Sequence, residues 1–403
     1  MTADAYTLDP TGRDIHAEAA ALRALGPVAR VELPGGVKAW SIGGQELLRR
    51  LLSDHRVSKD ARRHWPALAD IPEDWPLYLW VTSHNMFTAY GAQHRRLRSL
   101  ISKVFTARRA ESLRPQVERI TADLVERLAA GPDRTDLRAG FAYPLPIEVI
   151  CRLMGLPENL RPDLRRIVDS LFATTTTPEE AIANQRRLYE VLDELVALKR
   201  ADPGDDLTSG LIAAREEDGA RLSEEELLDT LILMIAAGHE TTVNLLDHAV
   251  IALLTHPDQL RLVLAGERRW ADVVEETLRW QAPVAHLPLR YAVEDIEVGG
   301  TTIRRGEAIL AGYAAAGRDP AHHGPTAAEF DITRADKTHL SFGHGVHFCL
   351  GAPLARIEAE VALPALFGRF PDLALAVPVE ELDHVPSFIS NGHRSLPVVL
   401  RHA

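Results

Sequence analysis

The stretch Phe342-Gly-His-Gly-Val-His-Phe-Cys-Leu-Gly351 decides the fold of this chain, because it places a cysteine just before a helical run, Pro353-Leu-Ala-Arg-Ile-Glu-Ala-Glu360. A cysteine at a helix N-terminus meets free N–H groups and the positive end of the helix dipole, and both favour the thiolate. The thiolate is the form of cysteine that binds iron. Cys349 is therefore a candidate iron ligand, whereas Cys151, within Val149-Ile-Cys-Arg-Leu153, is interpreted as a small buried apolar residue.

A long helix is predicted upstream of this stretch. Ser223-Glu-Glu-Glu226 fits a capping box, and the helical pattern then continues to about Thr255, just before Pro257. Its middle, Ala237-Gly-His-Glu-Thr-Thr242, suits a helix interior poorly, because Gly238 costs about 1 kcal/mol relative to alanine and threonine hydroxyls bond back to carbonyls. The segment is either a tolerated kink or a groove where the backbone approaches a ligand beside a carboxylate and a hydroxyl group.

The rest of the chain predicts a mainly α-helical protein with a small β component. Residues 90 to 265 show helical spacing of apolar residues. Val28-Ala-Arg-Val-Glu-Leu33 and Val37-Lys-Ala-Trp-Ser-Ile42 flank Pro34-Gly-Gly36 and predict a β-hairpin. Further strand patterns occur at 295–298, 301–303 and 396–400. Because strands interleave with helices at both ends, we expect residues 1–403 to form a single domain.

Composition excludes several classes of protein. The 403 residues are 46% hydrophobic, which is enough for a large core, and their formal net charge of −12 argues against general nucleic-acid binding. Two cysteines cannot form the disulfide framework of a small secreted fold, and residues 1–30 lack the pattern of a signal peptide. Apolar runs such as Leu231–Ala237 are far shorter than the roughly 20 residues that span a bilayer. We expect a soluble, cytoplasmic protein with no membrane or nucleic-acid partner.

The cysteine stretch resembles the haem-binding loop of the cytochrome P450 superfamily, F-G-x-G-x-H-x-C-x-G, and four other motifs agree with it. Ala237–Thr242 is similar to the oxygen-activation motif of the family's central helix, and Glu276-Thr-Leu-Arg279 to its E-x-x-R pair. His94-Arg-Arg-Leu-Arg98 and Arg290 are similar to segments that hold the haem propionates. The resemblance implies the cytochrome P450 fold, with a helix-rich lobe around haem b and a small β-rich lobe. The alternative, a zinc site formed by His339, His344, His347 and Cys349, lacks the paired ligand spacing of structural zinc sites.

The resemblance implies a role for each matching residue. Cys349 would bind the iron, and Glu240 and Thr241 would be the catalytic acid–alcohol pair that supplies protons during oxygen activation. Glu276 and Arg279 would form a structural pair, but the family's usual arginine before the phenylalanine of the preceding segment is here Glu329, so Arg334 or His339 is left as the third member. The other contacts with the cofactor would come from Ala237, Gly238, His94, Arg98, Arg290, Phe342, Gly343, His347 and Gly351.

Substrate contacts and redox partners also follow from the resemblance. The tryptophan-rich loop around Trp80 maps to the mobile loop over the haem, and 172–178 to a lid between two helices. The implied reaction is the O2-dependent hydroxylation of a hydrophobic, polycyclic compound, with a steroid favoured and a macrolactone next, as in the actinobacterial group that this chain resembles. Oxidative ring coupling and a non-catalytic haem sensor are the alternatives. The predicted substrate contacts are Trp80, Met86, Phe87, Met234, His239, Val284, Ala285, Leu287, Phe388 and Ile389.

Electrons would come from a ferredoxin and its reductase, since the chain leaves no room for a flavin or nicotinamide domain. Residues 77–110 contain no acidic residue, so they carry a local charge of +6 despite the acidic average. Such a stretch predicts a docking surface for an acidic partner. The six cations are Arg95, Arg96, Arg98, Lys103, Arg108 and Arg109.

Overall fold

A computed structural model describes residues 5–161, 177–215 and 219–401. The predicted lid at 172–178 lies almost entirely outside these residues. Within the described ranges, no helix is both long and apolar enough to cross a membrane. The helices are α1 (Ile15–Leu25), α2 (Gln45–Ser53), α3 (Ala61–His64), α4 (Tyr78–Thr82), α5 (Gly91–Val104), α6 (Ala107–Ser112), α7 (Arg114–Ala129), α8 (Pro144–Leu153), α9 (Pro178–Ala201), α10 (Leu207–Ala213), α11 (Glu224–Thr255), α12 (Pro257–Leu264), α13 (Trp270–Trp280), α14 (Tyr313–Gly317), α15 (Pro320–His323) and α16 (Ala352–Arg369).

The strands are short and form three separate sheets. Their order in the largest sheet is β1-β2-β3-β9-β6-β4, in the second β10-β11-β5, and in the third β7-β8. The strands are β1 (Tyr6–Thr7), β2 (Ala29–Leu33), β3 (Val37–Ile42), β4 (Val57–Ser58), β5 (Arg134–Asp136), β6 (His286–Ala292), β7 (Ile296–Val298), β8 (Thr301–Ile303), β9 (Ala308–Gly312), β10 (Ala374–Leu375) and β11 (Pro397–Val399).

Helix α11 is the centre of the helical part. Its N-terminus has both bonds of the predicted capping box, since the Ser223 hydroxyl accepts from the N–H of Glu226 and the Glu226 carboxylate accepts from the N–H of Ser223. The helix continues without a break through Gly238 to Thr255, and it packs against α8, α13 and α16. Buried apolar residues of these helices form one large core, which includes Cys151. The prediction that Cys151 is a packing residue is confirmed.

The large sheet confirms the predicted hairpin. Strand β2 pairs antiparallel with β3 through a 3₁₀ turn at Pro34–Gly36, and β3 then pairs in parallel with β9. Trp65 and Trp75 pack beneath this sheet, where Trp65 stacks on Tyr291 of β6 at 5.3 Å between ring centroids. Two of the three clustered tryptophans are therefore buried in the core of the β-rich part.

The second sheet contains a strand that the sequence did not predict. Strand β5, Arg134–Asp136, lies within residues 90–265, a region expected to be entirely helical. It pairs with the C-terminal strand β11. Its three residues are polar and too few to show alternation, so only the pairing with a segment some 260 residues away makes it a strand. The predicted strands at 295–298, 301–303 and 396–400 are observed as β7, β8 and β11.

Candidate active site

The loop before Cys349 turns sharply at two glycines. Gly343 and Gly345 have φ values of 69° and 70°, in the left-handed region that favours glycine. A Cβ at Gly345 would lie 2.7 Å from the carbonyl oxygen of Leu52 at the end of α2, so a larger residue does not fit there. The loop closes when the Cys349 N–H donates to the Phe342 carbonyl at 2.9 Å. This geometry presents the cysteine side chain to a cavity.

Cys349 Sγ lies in the wall of that cavity, close to the first N–H groups of α16. The N–H groups of Gly351 and Ala352 and the positive charge of Arg98 lower the pKa of the Cys349 thiol, but burial raises it by more. The N–H groups at the start of α16 therefore favour the thiolate, as predicted, but the lost hydration of the buried anion outweighs them. A metal cation on the sulfur would supply the missing positive charge.

One face of α11 forms the opposite wall. Ala237, Gly238 and Thr241 line the cavity, and the Thr241 hydroxyl donates to the Ala237 carbonyl at 2.7 Å. Substitution of Gly238 would bring a Cβ to 3.1 Å from Ile150 of α8, so the glycine permits a close approach of the two helices. Of the two interpretations of this segment, the groove agrees with the structure, since the helix is continuous and its backbone borders the cavity.

Glu240 points away from the cavity. Its carboxylate accepts from Arg138 Nη2 at 3.1 and 3.2 Å and from the Ser390 hydroxyl at 3.0 Å. Arg138 also donates to Asp247 Oδ2 at 2.5 Å, so one buried guanidinium serves two buried carboxylates. Burial raises the pKa of Glu240, and it raises that of Asp247 to about 7. No motif in the sequence identifies Arg138 as the partner of Glu240.

The cavity has an empty volume of about 1470 Å³, which includes space open to solvent. Its wall contains half of the predicted substrate contacts and most of the predicted cofactor contacts. Sequence reasoning missed Lys59, Phe105, Ile150, Leu153, Met154, Leu245 and Tyr313, which also line it. The predicted residues in the wall are Met86, Phe87, Met234, Val284, Leu287, Ala237, Gly238, Thr241, Arg98, Arg290, Phe342, Gly343, His347, Cys349 and Gly351.

The other half of the predicted substrate contacts lies outside the described part of the wall. His239 comes directly after Gly238 of the cavity wall, and one residue along a helix turns the side chain away from that wall. Its ring is buried and packs edge-on against Tyr143, with 4.4 Å between the ring centroids. Trp80 lies behind Phe87, with 6.1 Å between their rings. Three more belong to buried cores instead, Ala285 beside α14 and Phe388 and Ile389 beneath the large sheet.

Basic side chains gather at one end of the cavity. The rings of His94 and His347 are 4.2 Å apart, and burial lowers the pKa of His94 to about 4 and that of His347 well below its ordinary value. Arg98 donates to the Phe348 carbonyl at 2.7 Å, and Arg290 donates to the Tyr313 hydroxyl at 3.1 Å. Within the described structure, His94 Nε2 and Arg290 Nη1 are buried without a hydrogen-bond partner. Such donors fit a ligand that carries carboxylate groups.

Glu276 and Arg279 lie behind the cysteine loop, and neither is exposed. Their side chains are 2.7 Å apart, and Arg279 also donates to the carbonyls of Gly317, Ala327 and Glu329. Arg334 Nε is 3.3 Å from Glu276, so it is the third member of the network, whereas His339 contacts Glu275. Only the backbone of Glu329 takes part, which explains why an acid is tolerated where the family pattern has an arginine. Ser341 of the cysteine loop donates to the Leu278 carbonyl on the same helix.

The predicted basic docking surface is smaller than the sequence suggested. Arg96 pairs with Glu226, Arg109 pairs with Asp205, and Arg98 lies in the cavity wall. Acidic residues from other parts of the chain therefore neutralise a stretch that has none of its own. Arg95, Lys103 and Arg108 remain exposed.

The zinc alternative finds no support in the geometry. His339 turns towards Glu275, His347 packs on His94, and His344 is half-buried. Across 5–161, 177–215 and 219–401, no group of three or more histidine, cysteine, aspartate or glutamate side chains could hold a metal ion.

Comparisons with known proteins agree with this geometry. The Cytochrome P450 family profile matches residues 155–263 and 271–380. The chain is 48% identical to 2-hydroxy-5-methyl-1-naphthoate 7-hydroxylase of Streptomyces carzinostaticus, over 98% of this chain and 97% of the relative. It is similar in structure to CYP154A1 of Streptomyces coelicolor A3(2), with 59% identity, a TM-score of 0.93, and 98% and 100% of the two chains covered. It is also similar to testosterone-bound CYP154C4 of Streptomyces sp. ATCC 11861, with 48% identity, a TM-score of 0.95, and 98% of each chain covered.

Cytochromes P450 use haem b, and the residues around the cavity fit that cofactor. Cys349 offers a sulfur ligand from one wall, and Gly343 and Gly351 of its loop border the cavity without a side chain that would fill it. The unpartnered donors of His94 and Arg290 lie at the end of the cavity where cations gather, which suits the two carboxylates of haem b. Motifs, cavity and relatives agree: the chain belongs to the cytochrome P450 family and is a haem-dependent monooxygenase.

Proposed function

We propose that this monooxygenase hydroxylates a rigid, hydrophobic, polycyclic compound, with a steroid as the favoured class and a macrolactone next, and that residues 1–403 act as one cytochrome P450 domain. The observation that carries the proposal is the apolar wall of the cavity beyond Thr241. Met86 and Phe87 form one side, Met234 the second, and Val284 and Leu287 the third. A rigid apolar ligand buries its surface there without leaving polar groups unpaired.

The relatives support the same chemical class. One relative is named for hydroxylation of a naphthoate, and CYP154C4 is known with testosterone bound, so fused-ring compounds are common to both. Fused rings lose little conformational freedom on binding, and an apolar wall holds them by excluding water. We favour the steroid because all the predicted substrate contacts that lie in the wall are apolar.

Haem b, when bound, supplies the activation of O2 and the transfer of electrons. The chain's own contribution is to place proton donors and exclude water. The Thr241 hydroxyl lies in the cavity wall and has a free acceptor position for a water molecule, while its proton is directed to the Ala237 carbonyl. Glu240 is the acid of the pair in our proposal, and it acts through the Arg138 and Ser390 network because its carboxylate does not reach the cavity.

A ferredoxin is the electron donor in our proposal, and it docks beside the cysteine loop. Val346 and Phe348 of that loop are 63% and 42% exposed, an unusual position for large apolar side chains. Arg95 is exposed one turn before Arg98, whose guanidinium touches the Phe348 carbonyl. An apolar patch next to exposed arginines suits a small acidic protein, and the shortest route for electrons to Cys349 runs through this loop.

Binding of substrate is tested with testosterone, a macrolactone and a hydroxynaphthoate. Each compound is titrated into the holoenzyme while the low-to-high-spin change of the haem absorption is recorded. In a second experiment a ferredoxin and its reductase supply electrons for turnover, and the products are identified. The proposal expects the tightest binding and a hydroxylated product with testosterone. Leu287→Phe, which fills the cavity, should weaken the binding at least tenfold, whereas Leu264→Phe on the exposed surface should not. If only the naphthoate binds tightly, the proposed substrate class changes from a steroid to an aromatic acid. If the product is a coupled ring compound without an inserted oxygen atom, the proposed hydroxylation is wrong.

A further inference from the structure

Lys59 is a buried lysine in the cavity wall, and the motifs assign no role to it. Its side chain is only 3% exposed, and its Nζ has no hydrogen-bond partner in the described part of the chain. The ammonium lies over the ring of Phe87, 3.6 Å from the centroid. A ring face attracts a cation but offers no acceptor for its three N–H bonds, so the hydrogen-bonding capacity of Lys59 is left unused.

The fold places Lys59 beside Arg290. In the antiparallel pair of β4 and β6, Ser58 lies opposite Tyr291, so the next position places Lys59 opposite Arg290. Arg290 is also buried, and its Nη1 also has no hydrogen-bond partner among the described residues. Like charges at opposite positions of a strand pair repel each other, and burial strengthens the repulsion. Two such cations stay together at low cost only when an anion lies between them.

The surroundings supply no anion from the protein. Arg98 adds a further positive charge to the wall of the same cavity. Glu358 of α16 is the carboxylate in the described cavity wall, but it makes no ion pair with Lys59, and burial raises its pKa to about 8. Burial and the nearby charge of Arg290 both lower the pKa of Lys59. A bound anionic ligand would keep Lys59 charged and would offset its repulsion from Arg290.

We propose that Lys59 and Arg290 together bind one propionate of haem b, so that Lys59 is a positioning residue for the cofactor. The inference rests on haem b, the cofactor of the family, and not on the choice of substrate. The carboxylate accepts from Lys59 Nζ and from the free Nη1 of Arg290, which satisfies both donors at once. Because the ammonium also rests on Phe87, Lys59 connects the cofactor to the substrate side of the cavity.

The test measures how fast the holoenzyme loses haem to excess apomyoglobin. Lys59→Met keeps the length of the side chain and removes its charge, Lys59→Arg keeps the charge, and Lys38→Met is the matched control on the exposed face of β3. Each protein is prepared with haem b and with haem b dimethyl ester, whose propionates carry no charge. We expect Lys59→Met to lose haem b roughly ten to a hundred times faster than the wild type. The difference should disappear with the dimethyl ester, and Lys59→Arg should restore most of the wild-type rate.

Three results would overturn the proposal. Equal rates of haem loss in Lys59→Met and the wild type would show that Lys59 does not hold the cofactor. An equal acceleration with haem b and its dimethyl ester would show a purely structural role. Unchanged haem loss together with weaker binding of a hydroxynaphthoate alone would assign Lys59 to a substrate carboxylate. If Lys59→Met does not fold, Lys59→Gln takes its place, and the propionate bending band in resonance Raman spectra of the wild type and Lys59→Arg gives a second measurement.

Discussion

Arg138 donates to both carboxylate oxygens of Glu240, at 3.1 and 3.2 Å, although the two residues lie 102 positions apart. The pair is buried, so the catalytic acid predicted from the motif is held on the side of α11 that faces away from the cavity. The neighbouring Thr241 faces the cavity because one residue along a helix turns the side chain by about 100°. The acid and the alcohol therefore belong to different environments, and their substitutions should have different effects.

Removal of the Arg138 charge should destabilise the protein. Arg138→Met leaves Glu240 and Asp247 buried without a cation, and loss of one partner of a buried pair costs about 3–5 kcal/mol. Urea unfolding of the holoenzyme at pH 7.5 measures the effect. Arg127→Met on the exposed side of α7 is the control and should change the free energy of unfolding by less than about 0.5 kcal/mol. An unchanged midpoint in Arg138→Met would contradict the role of this network in stability.

Loss of the Thr241 hydroxyl should uncouple electron consumption from product. Thr241→Ala removes the hydroxyl group in the cavity wall, so we expect reductant to be consumed with release of peroxide and a fall in product per electron pair of roughly tenfold or more. Thr241→Ser, which keeps the hydroxyl, should retain most of the coupling. Thr255→Ala, at the C-terminal end of the same helix, is the control. If Thr241→Ala forms as much product per electron pair as the wild type, Thr241 is not part of the catalytic pair.

The side chain of Glu276 should be essential for stability, whereas the side chain of the nearby Glu329 should contribute little. Glu276→Gln leaves the guanidinium of Arg279 buried without a counter-charge, and we expect a loss of about 3–5 kcal/mol together with faster loss of haem. Glu329 contributes its carbonyl and not its side chain, so Glu329→Gln should behave like the wild type. Thermal unfolding and haem retention measure both variants, and similar results for the two would refute the network described for Arg279.

His248 and His393 should each destabilise the folded protein as the pH drops below about 6.5. Burial lowers the pKa of His248 to about 3 and that of His393 to about 2. Between these values and 6.5 the unfolded chain binds a proton at each position and the folded chain does not, so acid favours unfolding. At pH 5 each histidine should cost about 2 kcal/mol relative to pH 7.5.

The pH prediction is checked by urea unfolding at pH 7.5, 6 and 5. His248→Asn should reduce the slope of stability against pH, whereas substitution of the exposed His55 by asparagine should leave it unchanged. A slope in His248→Asn equal to that of the wild type would show that His248 does not contribute to the pH dependence in this way.

A change of charge at Arg95 should weaken the interaction with the redox partner. Arg95→Glu replaces an exposed cation of α5, one turn before Arg98, with an acid, so we expect the ferredoxin concentration for half-maximal rate to rise several-fold, and most strongly at low salt. Arg13→Glu, at an exposed arginine outside α5 and the cysteine loop, is the control. Substrate-induced spectral changes should be normal in both variants, and an equal response of the two to ferredoxin would exclude Arg95 from the docking surface.

The sequence by itself determined the features that depend on neighbouring residues. The glycine turns before Cys349, the capping box at Ser223 and the three-residue spacing of Glu276 and Arg279 act within a few positions, so the pattern of letters contains their geometry. The family resemblance rests on the same local motifs. These motifs are enough to indicate the fold, the cofactor and the class of enzyme.

Only the tertiary structure decided what long-range packing brings together. Arg138 reaches Glu240, Arg334 reaches Glu276, and Lys59 comes opposite Arg290, although these partners are 58 to more than 200 positions apart. It also placed His239 outside the cavity, and it paired two of the six cations of residues 77–110 with carboxylates from other elements. Burial and electrostatic energy depend on all neighbours in space, and a linear pattern does not state which charges become neighbours.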